Sequence, residues 1–568
     1  MSNPSSSTSE PLIAASSEQP YRTAFHFQPP KNWMNGPMWF NGVYHFFYQN
    51  NPFKPVFDPR MYWGHSISYD MVNWTHLDHA FTPTEPYDIN GCWSGSATIL
   101  PENKLVMLYT GRDSKERQVQ NSAVPKDLND PYLKEWVKNV DNPIINLPEG
   151  IAPDLFRDPS TAWLDEDGKW RIVVGSQKDK MGIVFLYHSN DFVTWTKSDS
   201  PFHQVLGTGT YECPEFFPVL IDSTNAVDTS VVGPSNGVKH VLKVALQDDF
   251  RDYYVLGDYS HEKEHYFPEN ELTQTSLCID YGRFYASKSF FDPVKNRRII
   301  MAWVHETDES IARAEIRGWA GVQSFPRSLW LDENQKQLRQ WPIEEIQMLR
   351  KKKVSFRNMN LEGRSSHEIK GITTAQADVD ISFKLPSLEE AEELDPSLVD
   401  PLDICTSKNG KFGPFGILAL ASKDLTEQTA IFFRVFRKNG RLVVVMCSDQ
   451  SRSSKTPEAP DFLKPTYAAF VDIDPKQKEI SLRTLIDHSI IESFGGGGKT
   501  CMTARVYPTL ANGDEARLFA FNHGTESVVI SEMSAWSLKN ARMNTLSEED
   551  SEEDKFINCL GRKLICCN

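Results

Sequence analysis

The sequence predicts an all-β protein, with a β-propeller in its N-terminal half and a β-sandwich in its C-terminal half. Three observations carry this. From about residue 21 to 340 the chain is a series of short apolar or alternating runs separated by turns, at 43–48, 105–109, 170–175, 183–188, 240–246 and 298–304, with no long amphipathic helix between them. The pattern Ser68-x-Asp70-x-Val72-x-Trp74 recurs as Ser189-x-Asp191-x-Val193-x-Trp195, 121 residues on, each copy downstream of a turn and an apolar strand. A repeated strand unit with a Trp at a fixed place marks a propeller. Finally, 35 Pro and 31 Gly supply the turns that many short strands require.

The elements follow in order. Residues 1–20 are dominated by Ser, Thr, Pro and Glu, lack periodicity and are expected to be disordered. They show neither the basic nor the apolar region of a secretory signal. Residues 21–342 form the propeller and carry the cleft. Residues 343–355 read as a short helical linker ending in a basic run, Arg350-Lys351-Lys352-Lys353, taken as a solvated helix end. Residues 356–540 carry a second all-β pattern, with strands at 377–385, 417–421, 430–436, 442–446, 479–485, 489–494, 501–506 and 518–521. Lys438-Asn439-Gly440 makes a hairpin turn within it. This half clusters no acids in a catalytic manner and reads as a sandwich supporting the first domain. Residues 541–568 change character, with a solvated acidic run over 547–554 followed by Cys559, Cys566 and Cys567.

Composition narrows the function. With 568 residues, 40% hydrophobic and 24% charged, the chain is an ordinary soluble globular protein of several domains. A net charge of −16 argues against a nucleic-acid partner and suits an uncharged ligand. No apolar run approaches a membrane span. The nine cysteines have no metal-ligand spacing apart from the adjacent Cys566-Cys567, which leaves buried thiols with room for a disulfide. Asn73-Trp74-Thr75 is a glycosylation sequon.

Three stretches carry chemistry. Residues 26–52 gather aromatic rings and amides around a tight Asn35-Gly36-Pro37 turn that runs into the strand at 43–48. Flat apolar faces and amides suit a sugar ring and its hydroxyls, yet the stretch has no carboxylate. Phe156-Arg157-Asp158-Pro159 and the run from Thr210 through Glu212-Cys213-Pro214 place polar groups at the heads of two further strands. In a propeller the innermost strands start near the axis, so such groups converge. A carboxyl pair there suits glycoside hydrolysis. Taken alone, Arg-Asp-Pro and Glu-Cys-Pro read equally well as turns.

Together with Asn32-Trp33-Met34-Asn35, Phe47-Tyr48-Gln49, Trp93-Ser94-Gly95-Ser96, Gly318-Trp319-Ala320-Gly321 and Leu485-Ile486-Asp487-His488-Ser489, these stretches make the chain resemble glycoside hydrolase family 32. Within the family it is most similar to plant cell-wall invertases and fructan exohydrolases, over roughly residues 22–540. The resemblance implies five blades followed by the sandwich, and a retaining mechanism on β-fructofuranosides such as sucrose or fructan, without metal or cofactor. It implies Glu212 as general acid/base, with a raised pKa, and Asp158 as the group that holds fructose hydroxyls and stabilises transition-state charge. Trp33, Met34, Asn35, Gln49, Phe57, Trp93, Ser94, Arg157 and Gln247 would line the substrate pocket. Cys405 and Cys447 fall where the cell-wall group pairs two cysteines. A monomer in the cell wall, the extracellular space or the vacuole is the expectation.

The departures matter most. The family motif Trp-Met-Asn-Asp-Pro-Asn-Gly-Pro carries the nucleophilic Asp, whereas here Asn35 is followed directly by Gly36. Losing a group used only in the transition state costs about 4–8 kcal/mol. Three missing residues also shorten the loop by up to ~10 Å. Tyr211 stands where a Trp precedes the catalytic Glu, Glu215 replaces an Asp, and Phe57 replaces a pocket Trp. Gln247 and Phe250 stand where invertases carry an Asp and a Lys that favour the glucose half of sucrose, which leans the specificity toward fructan. The expectation is a catalytically impaired β-fructofuranosidase-family protein. The alternatives are a fructan- or sucrose-binding or regulatory protein, and an active fructan exohydrolase with a substitute nucleophile.

Overall fold

Alternate residues along the propeller strands are buried in different places, which is why the strands read as continuous apolar runs. In Trp170–Lys178, Ile172 and Val174 pack toward the second blade while Val173 packs toward the fourth. The structure is a computed structural model and describes residues 19–29, 38–234, 236–306, 311–456 and 464–545. Five sheets, antiparallel but for one strand added late in the chain to the first, pack face to face around an axis. Their innermost strands are Met38–Phe40, Cys92–Leu100, Phe156–Arg157 continued by Trp163–Leu164, Tyr211–Leu220 and Tyr285–Asp292. Five apolar clusters fill the spaces between neighbouring blades. The cluster between the fifth and first blades also takes in Leu485 and Phe494 of the second domain.

That domain is a sandwich of two six-stranded antiparallel sheets over one core that includes Ile381, Phe415, Phe433, Leu482 and Ile530. Asn439 and Gly440 both take left-handed conformations in the hairpin between Thr429–Lys438 and Arg441–Asp449, as a type I′ turn requires. Cys405 and Cys447 are bonded, tying the short helix Pro401–Thr406 to a central strand. Cys92, Cys213, Cys278 and Cys501 are free.

The repeat is a turn whose side chains hold the backbone. Asp70 Oδ1 accepts from the N–H groups of Val72 and Asn73 at 2.8 and 2.7 Å, and Asp191 Oδ1 from those of Val193 and Thr194 at 2.9 and 2.7 Å. Ser68 and Ser189 accept from Met71 and Phe192, both of which are left-handed. In the sequon, Asn73 Nδ2 donates to Asp70 Oδ2 at 2.7 Å and Oδ1 accepts from Arg542 N–H at 2.9 Å. A glycan on Nδ2 would replace one of its two hydrogens and leave one N–H to donate.

Two expectations are corrected. The linker at 343–355 is helical only over the 3₁₀ helix Glu344–Leu349, and the basic run, expected as a helix end, opens the 12-residue strand Arg350–Leu361. Ile343, Ile346 and Leu349 are all buried, and their spacing of three fits three residues per turn. Arg350 is no solvated helix end, for it donates to Asp378 and stacks over Trp536 at 3.6 Å. The second correction concerns the start of the tail. Met543–Thr545 forms a parallel strand on Trp74–Phe81 and completes the first blade. Residues 1–18 and 546–568, with the expected disorder, the acidic run and the last three cysteines, lie outside the described residues.

Candidate active site

Three innermost strands share one local device. Register shifts interrupt the pairing between Cys92 and Gly95, between Glu212 and Glu215, and between Tyr285 and Lys288. Such bulges at strand heads re-aim side chains toward the axis. Backbone strain accompanies them: Cys213 and Ala286 have φ of 44° and 53°, and Asp158, at the head of the third blade, has φ of 68°. The third and fourth blades are also in close contact, since a Cβ on Gly175 would fall 2.2 Å from the carbonyl oxygen of Tyr211.

These heads converge on a cleft of about 760 Å³. Gln49, Phe57, Trp93, Ser94, Arg157, Asp158, Glu212 and Gln247 all line it. Trp33, Met34 and Asn35 lie outside the described residues. Arg157 is the hub. Its Nε and Nη2 donate to Glu212 Oε1 at 2.9 and 2.6 Å, Nη2 donates to Gln247 Oε1 at 3.2 Å, and Nη1 donates to Asp154 O at 2.7 Å. Tyr285 donates its hydroxyl to Glu212 Oε2. Burial pushes the Glu212 carboxyl above its ordinary value against the pull of Arg157. Burial also works against the Arg157 cation, but the negative charges of Glu212 and Asp158 outweigh it and raise its pKa.

Asp158 is anchored on one side only. Its N–H donates to Thr110 Oγ1 at 2.8 Å, and its Oδ2 accepts from Cys213 N–H at 2.9 Å. Oδ1 has no hydrogen-bond partner among the described residues and is available to a ligand hydroxyl. Gln49 donates its amide to Ser94 Oγ, which leaves Oε1 as an acceptor. The Trp93 N–H is spent on Pro59 O at 2.7 Å, so this residue offers its ring. Phe57 stands edge-on to it at the rim, with ring centroids 6.3 Å apart. Below the cleft, a second cavity of about 270 Å³ shares Gln49 and Ser94 and is lined by innermost strands.

The structure adds two groups that sequence reasoning did not single out. Tyr285 opens the innermost strand of the fifth blade, so the strand-head rule that found Asp158 and Glu212 applies to it too. Glu306 also lines the cleft, held by Gly321 N–H at 2.8 Å and by Arg505 and Tyr507 of the sandwich. Among the described residues, no group of three or more His, Cys, Asp or Glu is arranged to hold a metal ion.

Five blades, an appended sandwich and an axial cleft with an arginine-bridged carboxyl group define a glycoside hydrolase architecture. The chain belongs to glycosyl hydrolase family 32: residues 26–342 match the family's N-terminal domain and residues 345–537 its C-terminal domain. It is 53% identical over 545 residues to an insoluble β-fructofuranosidase isoenzyme of Arabidopsis thaliana, covering 93% of this chain and 91% of that one. It is 50% identical over 548 residues to a fructan 6-exohydrolase of Beta vulgaris, covering 94% and 89%. The crystal structure of fructan 1-exohydrolase IIa from Cichorium intybus superposes with a TM-score of 0.89 at 57% identity, covering 93% of this chain and 99% of that one. A variant of that enzyme has been solved in complex with 1-kestose.

Proposed function

We propose that this protein recognises the terminal β-fructofuranosyl unit of a fructan or of sucrose, and that its hydrolysis of the bond is severely impaired. A mismatch carries the reading. Arg157, Asp158, Glu212 and Tyr285 meet at the cleft, whereas the chain from His26 to Pro52 contains no carboxylate and runs from Asn35 straight to Gly36.

Glu212, whose pKa burial raises above its ordinary value, is the proton donor to the leaving oxygen, and Arg157 and Tyr285 fix its two oxygens. Asp158 Oδ1 accepts from fructose hydroxyls and stabilises the positive charge that develops on the ring. No carboxylate attacks the anomeric carbon, so the covalent intermediate of a retaining enzyme does not form. Gln49, Ser94, Trp93 and Phe57 hold the sugar. Gln247, engaged by Arg157, and the uncharged Phe250 favour a fructan over the glucose of sucrose.

The cleft belongs to a domain spanning 21–342, and the sandwich spans 356–540. The site needs no cofactor, and the protein acts as a monomer. The Cys405–Cys447 bond fits an oxidising compartment, in keeping with the extracellular space or cell wall.

The test is sugar release and calorimetry with sucrose, 1-kestose and levan, on this chain and on a version with Asp-Pro-Asn inserted after Asn35. We expect millimolar or tighter binding with negligible release by the chain as it is. The inserted segment should raise turnover by several powers of ten, about 4–8 kcal/mol of transition-state stabilisation. Substantial turnover by the unaltered chain, abolished by Glu212→Ala, would overturn the impairment. Absence of binding would overturn the recognition.

A further inference from the structure

Asp487 lies in the sandwich, at the end of the strand Glu479–Asp487, yet its carboxylate is committed to the other end of the chain. It is fully buried. Oδ1 accepts from Ala24 N–H at 2.7 Å, and Oδ2 accepts from the N–H groups of Phe25 and His26, each at 2.9 Å. The His26 ring places Nδ1 2.8 Å from the same Oδ2. Three consecutive backbone amides and one imidazole thus close on a single carboxylate. Burial works against its charge, but the His26 hydrogen bond and the other donors outweigh this and hold it below its ordinary value.

The clamped segment leads to the cleft. Two residues beyond His26, Gln28 donates its amide to Gly321 O at 3.2 Å, and the N–H of Gln323 donates to Phe27 O at 3.0 Å. Ala320 and Gly321 line the cleft, and Gly321 N–H holds Glu306 on its wall. The sandwich grips this wall at two further points: Glu492 Oε1 accepts from Phe325 N–H at 3.0 Å, and Arg505 Nε donates to Glu306 Oε1 at 3.0 Å. Ordinary support of one domain by another needs only apolar contact, and Leu485 and Phe494 supply that. Buried carboxylates aimed at backbone amides do something more specific, since they set the position of a segment to within hydrogen-bond tolerance.

We infer that Asp487 is a positioning residue of the sugar cleft, acting from the sandwich through residues 24–28 on the wall at 320–323. Its effect on the sugar rests on the functional reading above; its effect on the wall does not. Asp487→Asn keeps the shape but turns an amide N–H₂ toward backbone N–H donors. Amide hydrogen exchange should then accelerate by about tenfold or more both at 24–28 and at 320–323, at a temperature where the fold is intact. The affinity for 1-kestose should fall by about tenfold.

Gln28→Met removes one of the two bonds from the segment to the wall (Gln323 N–H to Phe27 O stays) together with the acceptor of Thr23, and should loosen 320–323 while 24–26 stay protected. It also keeps the inference testable if Asp487→Asn does not fold. Asp191→Asn, which frees two amides in an exposed turn of the third blade, should speed exchange only there and leave affinity unchanged. Acceleration confined to 24–28 in Asp487→Asn, or protection of 320–323 unchanged in Gln28→Met, would overturn the inference. If the unaltered chain binds no sugar, the functional reading fails while the exchange at 320–323 still decides this one.

Discussion

Asp158 in the propeller and Asp378 in the sandwich are both buried aspartates beside arginines, and they are partnered in opposite ways. Asp378 accepts four guanidinium N–H groups, from Nε and Nη2 of Arg350 and of Arg483, at 2.7–3.0 Å. Asp158 Oδ2 accepts the N–H and the thiol of Cys213 and stands 4.0 Å from Arg157 Nε, while Oδ1 has no partner among the described residues. One carboxylate is saturated and holds strands together. The other is held by its backbone and by one oxygen, and its second oxygen is unpaired among the described residues. Burial and an arginine neighbour therefore do not separate a strut from a site; the count of unused acceptors does.

The comparison can be tested by removing one function at a time. The largest effect falls on turnover. In the chain carrying inserted Asp-Pro-Asn, Glu212→Gln should cost about 10²–10⁴-fold in kcat. Because burial raises the Glu212 pKa, its acid form persists to higher pH than an ordinary carboxyl, and turnover should fall as pH rises through that value. That alkaline limb should vanish from the residual rate of the variant. A limb unchanged by the substitution would assign it to another group.

Next comes the strut. Asp378→Asn leaves two guanidinium groups without their carboxylate and should cost about 3–5 kcal/mol in denaturant unfolding, with sugar affinity unchanged in the folded protein. Asp158→Asn should do the reverse, losing about 1–3 kcal/mol of 1-kestose binding with little change in stability. If both substitutions changed stability alike, the distinction drawn from their unused acceptors would be wrong.

The smallest effect concerns interior polar groups that belong to neither class. His45 and His65 are buried against each other in the first blade, Nδ1 to Nε2 at 3.1 Å. Burial lowers the His45 pKa to about 3 and depresses that of His65 well below its usual value. The unfolded chain binds these protons from about pH 6.5 downward and the folded chain does not. Stability should therefore fall as pH drops from about 6.5 toward 3, by about 1 kcal/mol per pH unit per histidine. His45→Gln should flatten the slope of unfolding free energy between pH 5 and 6.5 by that amount.

Much of this was legible in the chain. The apolar runs are strands because blades bury both faces; Asp158 and Glu212 were singled out because strand heads meet on an axis, whereas Trp93 and Gln49 came from the family resemblance. Tyr285 obeys the same rule but was hidden in an aromatic run, Tyr281-Gly282-Arg283-Phe284-Tyr285, where a ring reads first as core. The linker helix was extended too far because the basic run Arg350–Lys353 reads as a helix end as readily as the start of a strand. Asp487 could not be assigned a partner at all. Its donors lie more than 460 positions away, and only the fold brings such groups together.

The strand Met543–Thr545 carries one more implication, about the order of assembly. It pairs with Trp74–Phe81, and just before it Ala541 N–H donates to Ala24 O at 2.9 Å. The first blade is thus finished by some of the last described residues, and the segment entering the cleft is pinned by residue 487. A ribosome making this chain emits the opening segment and the first-blade strands first, and both stay incomplete until residues 487 and 543–545 follow. The first blade and the segment at 24–28 therefore reach their final contacts only after most of the polypeptide has emerged.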